Sequence, residues 1–198
     1  MIKINSMPFG EYQTNCYILN NGKQELIIDP GVGATSWVLK NVKNPKAILN
    51  THGHFDHTWS DCELKKILKI PIYIHKEDLF MLEEDIFEMG EDSCRADHII
   101  ESENDLQIGD FSISFIHFPG HSPGCCIIEI ADYWFSGDFI FKNSIGRVDF
   151  PYSSPQRMKK SLEKFGKVSY DKKVYPGHGE STTIKNEQKN TSYWLKML

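Results

Sequence analysis

Thr51-His52-Gly53-His54-Phe55-Asp56-His57 places three imidazoles and a carboxylate within seven residues, just after an apolar run, Ala47-Ile48-Leu49, that reads as a strand. Histidine offers borderline-soft nitrogen and aspartate hard oxygen, a donor mixture that suits zinc or another first-row divalent ion. A polar loop whose histidines cap the next helix would account for a lone pair of them. H-x-H-x-D-H asks for a metal.

Three further segments have a common form, a strand end followed by glycine and then a potential ligand: Pro119-Gly120-His121, Ser136-Gly137-Asp138 and Pro176-Gly177-His178. They follow β-like runs at 111–118, 133–135 and 173–175. Glycine there lets the backbone turn sharply and approach closely, so that the next side chain is aimed at a shared point beyond the strand ends. Each tripeptide alone is an ordinary turn, but three of them after H-x-H-x-D-H predict one composite site.

With these motifs the chain resembles the metallo-β-lactamase-fold hydrolases, and within them the single-domain glyoxalase II-like (hydroxyacylglutathione hydrolase-like) branch. The resemblance runs from Leu26-Ile27-Ile28-Asp29-Pro30-Gly31 to Pro176-Gly177-His178-Gly179. It implies an α/β (α+β) chain folded as an αββα sandwich, two mixed β-sheets flanked by helices, with metals at one edge. Carried over by residue, it implies that His52, His54 and His121 bind one metal and Asp56, His57 and His178 a second, with Asp138 bridging them. The cofactors so implied are two divalent ions, zinc foremost, with iron or manganese as alternatives. The β-lactam-opening branch lacks this bridging aspartate.

Two cations that share a carboxylate can acidify a water and polarise a carbonyl without a serine or cysteine nucleophile. On this reading a metal-bridging hydroxide attacks, Asp56 and Asp138 orient it, and the substrate is a small-molecule thioester or thiol conjugate such as S-(hydroxyacyl)glutathione. A thiolate leaves without help from a protein acid. Gly146-Arg147-Val148-Asp149-Phe150 follows Asp138 closely and is similar to a segment of small glyoxalase II-like proteins and persulfide dioxygenases. Arg147 is therefore a candidate substrate-binding residue that grips a carboxylate in a bidentate fork; an internal Arg147–Asp149 bridge is the competing reading. Full-length glyoxalase II carries an additional helical glutathione-binding domain, which is not expected here; Lys185 and Lys189 could supply some of that contact or simply face solvent.

Among other acidic and histidine positions, His75 is expected to end a strand and cap a helix, and His98 to lie in an acidic excursion. His117, alternating with Ile116 and Phe118 on a strand, is expected either behind the ligands or at the surface, and Asp29 behind them, hydrogen-bonding a ligand histidine. The alternatives to the hydrolase are a mononuclear iron persulfide dioxygenase using His52, His121 and Asp138, a phosphodiesterase or nuclease of the same fold, and a non-catalytic binding module.

Composition fits one domain spanning 1–198, since no linker or charge block divides the chain. A formal net charge of -5 and a pI near 5.9 argue against a nucleic-acid surface. The start lacks the features of a signal peptide and no apolar run is long enough to span a bilayer, so a cytoplasmic protein with no membrane partner is expected. Cys16, Cys62, Cys94, Cys125 and Cys126 show no C-x-x-C spacing, and the last two read as packing residues.

Elsewhere the pattern predicts an antiparallel meander of strands at 2–7, 16–19 and 26–28, with Asn20-Asn21-Gly22 as a turn. Helices are predicted at 34–42 and 58–68, a strand at 71–74, and a partly exposed helical excursion over 76–97. A last helix over 154–165 should be capped by Ser153 or Ser154, with Pro155 in its first turn.

Overall fold

A computed structural model describes residues 2–90, 92–103 and 105–198. β1 (Lys3–Phe9), β2 (Thr14–Asn20) and β3 (Glu25–Ile28) form the expected antiparallel meander. Its tight turn is closed by side chains: Asn20 accepts from the Gly22 amide at 2.6 Å and Asn21 from the Lys23 amide at 2.9 Å. Then α1 (Thr35–Asn41) leads to β4 (Pro45–Leu49), and α2 (Phe55–Thr58) with α3 (Asp61–Leu68) to β5 (Ile72–His75); β3, β4 and β5 are parallel. The single helix expected over 58–68 is thus two. The break falls at Ser60, whose amide and hydroxyl bond the Pro30 and Gly31 carbonyls and draw the backbone off the helical path.

The excursion is helical only at its start, as one 3-10 turn (Lys76–Asp78) and α4 (Leu79–Glu83). Beyond it the Asp85 carboxylate accepts from the Met89 and Gly90 amides at 2.9 and 2.7 Å, closing a loop where a longer helix was expected. Residue 91 of that stretch lies outside the described residues. His98 opens β6 (His98–Ile100), which completes a sheet ordered β1-β2-β3-β4-β5-β6.

The second half builds β7 (Asp105–Ile108), β8 (Phe111–His117), β9 (Cys126–Ile130) and β10 (Tyr133–Gly137), then a small ribbon of β11 (Ile140–Phe141) and β12 (Ser144–Ile145). α5 (Pro155–Gly166) crosses over to β13 (Lys173–Pro176), followed by β14 (Thr182–Thr183), α6 (Ile184–Gln188) and α7 (Thr191–Met197). The order is β14-β13-β10-β9-β8-β7, with β13 parallel to β10 and the other pairs antiparallel. Ser154 accepts from the Arg157 amide at 3.2 Å, with Pro155 opening the helix as expected.

Strand alternation builds three apolar layers. Tyr17, Leu19 and Leu26 face Phe111, Ile113 and Phe115 between the sheets. Cys16, Ile18 and Ile27 point the other way, under Val38 of α1 and Leu64 of α3. Ile127, Trp134 and Val174 are covered by Met158, Leu162 and Phe165 of α5 and by Trp194 of α7. The result is the expected αββα sandwich. Among the described residues no helix is long and apolar enough to cross a membrane.

Candidate metal centre

Seven predicted ligand positions meet at one edge of the sandwich, each just past a carboxyl strand end: His52, His54, Asp56 and His57 after β4, His121 after β8, Asp138 after β10 and His178 after β13. Nε2 of His52 and of His121 lie 3.2 and 2.9 Å from Nδ1 of His54. Four tetrahedral nitrogens around zinc at 2.0–2.1 Å would stand about 3.3 Å apart, so the spacing fits one cation. Asp56, His57 and His178 form a second group. Nε2 of His57 and of His178 are each 3.5 Å from Oδ2 of Asp56. Asp138 touches both groups: its carboxylate is 3.4 Å from His121, 3.4 Å from His57 and 3.3 Å from His178.

Surrounding acceptors fix four of the five rings. A carbonyl only accepts, so the 2.9 Å contacts from Nδ1 of His121 to the Arg147 carbonyl and from Nδ1 of His178 to the Tyr12 carbonyl put the proton on Nδ1 and leave Nε2 bare. His57 donates through Nδ1 to Asp29 at 3.0 Å, as expected of Asp29. The Thr51 hydroxyl donates to Asp29 at 2.6 Å and therefore accepts from Nδ1 of His52 at 3.1 Å. Nε2 of His57 and Oδ1 of Asp138, buried and 3.4 Å apart, make no hydrogen bond among the described residues, as two atoms that share a cation would.

Electrostatics agree. Burial pushes the imidazoles of His52, His54 and His121 toward the neutral, ligating form, His54 down to about 3. At His57 burial is outweighed by Asp56 and Asp138, and at His178 by Asp138, so both pKa values rise. Asp138 is held well below the usual carboxylate range despite its burial, by His57 and His121. The Asp56 and Asp138 carboxylates thus concentrate negative charge beside Nε2 of His57 and His178, a charge that divalent cations would balance.

Glycine makes the convergence possible. Gly137 sits at φ +47° against the Thr51 side chain, and a Cβ on Gly177 would overlap the Asp138 carboxylate. Sequence reading missed two supports. The Thr14 hydroxyl donates to Asp56 at 2.6 Å. Asp78, fully buried, accepts from the Gly53 amide at 3.0 Å and from the Ser122 hydroxyl and Gly124 amide at 2.5 Å, tying together the loops that carry His52, His54 and His121.

Arg147 lines the cavity at the centre, with Nε and Nη2 on the two oxygens of Asp149 at 2.9 and 2.8 Å and its guanidinium 4.2 Å from the Phe150 ring centre. His75 caps the 3-10 turn, and its ring stacks on His117 at 4.1 Å. Beside them Glu77 pairs with Arg157 and Nε2 of His117 with the Pro123 carbonyl. His98 stacks on Tyr73. Lys185 bonds the Val168 carbonyl and Gln188. The five cysteines are buried and burial pushes the Cys125 and Cys126 thiols up, consistent with packing residues.

Two facing sheets with a histidine and carboxylate cluster at their common edge define a metallo-hydrolase fold that fits a dinuclear metal site. The chain belongs to the Metallo-beta-lactamase superfamily, whose family model matches residues 9–178. It is 29% identical to hydroxyacylglutathione hydrolase GloC of Haemophilus influenzae over 97% of this chain and 98% of that one. The crystal structure of BLEG-1, a B3 metallo-beta-lactamase, superposes with a TM-score of 0.86 at 32% identity, covering 97% of this chain and 99% of that one. A di-iron-bound form of TTHA1623 superposes with a TM-score of 0.80 at 29% identity, covering 92% and 96%.

Proposed function

We propose that this protein is a dinuclear metal-dependent thioesterase of the glyoxalase II type. The observation that carries the reading is the Asp138 carboxylate, within 3.4 Å of donors from both groups. His52, His54 and His121 would hold one divalent cation, Asp56, His57 and His178 the other, and Asp138 would belong to both. When bound, such a pair supplies Lewis acidity, acidifying water and polarising the substrate carbonyl.

The chain's own residues do the rest. Asp56, fixed by Thr14, and Asp138 present acceptor oxygens that orient the attacking water. A thiolate is a weak base and leaves unprotonated, which suits a cavity whose histidines all belong to the cluster. The name of GloC supports a thioester as the bond cleaved.

An iron-dependent dioxygenase would use His52, His121 and Asp138 of the same cluster and shares the H-x-H-x-D-H motif, so metal content and oxygen uptake separate the two readings. Metal-loaded protein should carry about two divalent ions per chain, hydrolyse thioesters and consume no oxygen with a persulfide. Asp138→Ala should abolish turnover and weaken both cation positions. One iron per chain with oxygen uptake would overturn the reading, as would an alanine variant with normal metal content and turnover.

A further inference from the structure

A cavity of about 610 Å3 opens in front of the cluster. Of its nine lining residues outside the candidate ligands, seven are apolar or aromatic; Ser144 and Arg147 are the exceptions. The rings sit against the cluster itself: Phe87 and Phe150 lie 5.4 and 5.9 Å from the His54 ring, Phe150 also 5.9 Å from His121, and Phe141 5.9 Å from His178. At the rim, Tyr12 and Phe150 are 58% and 37% exposed, apolar surface in reach of a ligand.

Charge at the mouth is already balanced. Arg147 is the one cationic side chain among the lining residues besides the cluster histidines, and Asp149 occupies its fork. Lys142, next to Phe141, is paired with Glu180. A glutathione moiety brings two carboxylates and one ammonium, so its recognition calls for open cationic forks. A substrate carboxylate at Arg147 would displace Asp149, exchanging one exposed ion pair for another with little gain. An uncharged ring gains contact with Phe87, Phe141 and Phe150 without such an exchange.

Resting on the thioesterase reading, we propose that the cavity selects thioesters carrying an uncharged, apolar group, an aryl foremost, over peptide-thiol conjugates with free carboxylates. Phe150 is the specificity-determining wall. Asp149 screens Arg147 from anionic substrates.

The test compares kcat/KM of the metal-loaded full chain on S-benzoyl-N-acetylcysteamine, S-phenyl thioacetate, S-acetyl-N-acetylcysteamine and S-lactoylglutathione, each corrected for its reactivity toward hydroxide. At least one aryl thioester should exceed both non-aryl substrates by about tenfold or more, and the better of the two tells whether the ring belongs on the acyl or the thiol side. Phe150→Ala, with rates expressed per bound metal, should shrink that preference by about tenfold. Asp149→Asn, by opening the Arg147 fork, should raise the relative rate on S-lactoylglutathione. A wild-type preference for S-lactoylglutathione would overturn the proposal. Binding of the unreactive thioethers S-benzyl-N-acetylcysteamine and S-benzylglutathione separates the two levels. If no thioester is cleaved but the neutral thioether binds more tightly, the reaction class fails and the selectivity stands; tighter S-benzylglutathione sinks the selectivity whatever the reaction.

Discussion

Asp29 shows how a ligand set depends on atoms that touch no cation. One oxygen takes the Thr51 amide at 2.8 Å, and the other takes both the Thr51 hydroxyl and Nδ1 of His57. Removing it would free the His57 ring and leave a buried amide without an acceptor, which costs about 1–3 kcal/mol. Asp29→Ala should weaken metal binding at the position that includes His57 by about 10–100-fold, and a titration of the metal-free variant reads this directly. Unchanged affinity would mean that packing alone holds the ring. Both the clustering of the candidate ligands and this acceptor were legible in the sequence, because H-x-H-x-D-H is contiguous and each glycine turn announces its strand end locally. The aromatic wall was not legible: Phe87, Phe141 and Phe150 are ordinary residues one by one, and only tertiary folding gathers them.

Among elements, the 3-10 turn Lys76–Asp78 carries more than its length suggests. Its Asp78 reaches Gly53 and Gly124, 25 and 46 positions away, so no local pattern could reveal it. The same long-range bonding explains why the 58–68 helix breaks at Ser60, against carbonyls of a distant turn. Burial, against the three hydrogen bonds, pushes the Asp78 carboxyl up to about 6. The folded value exceeds the ordinary one, so between roughly pH 4 and 6 the folded chain binds more protons than the unfolded chain, and this group's contribution to stability falls as pH rises. Asp78→Asn does not titrate. Its cost in the metal-free protein should therefore be largest near pH 4 and smaller by about 2–3 kcal/mol at pH 7, measured by urea unfolding at both values. A cost that grows with pH would refute this.

At the level of the whole molecule, the two sheets are joined at the metal edge. The Asn15 amide donates to the Gly177 carbonyl at 2.7 Å, its side chain to the Pro176 and Gly179 carbonyls, and the Cys126 amide to the Thr51 carbonyl at 2.8 Å. Four candidate ligands come from the first sheet's connections and three from the second's, so a bound cation ties the halves together. Ligand that binds only the folded state adds about 2.7 kcal/mol at a hundred times its dissociation constant. Stripping the metal with a chelator should accordingly lower Tm by roughly 5–10 °C, and adding zinc back should restore it. An unchanged melting curve would show that hydrogen bonds alone hold the seam.

The distribution of ligands between the sheets also sets an order of assembly during synthesis. His52, His54, Asp56 and His57 leave the ribosome early, His121 and Asp138 later, and His178 last of all. Only when β13 has paired with β10 does Gly177 bring His178 against Asp138. Until His178 has emerged, a nascent chain can therefore offer a cation no more than a partial nest of donors.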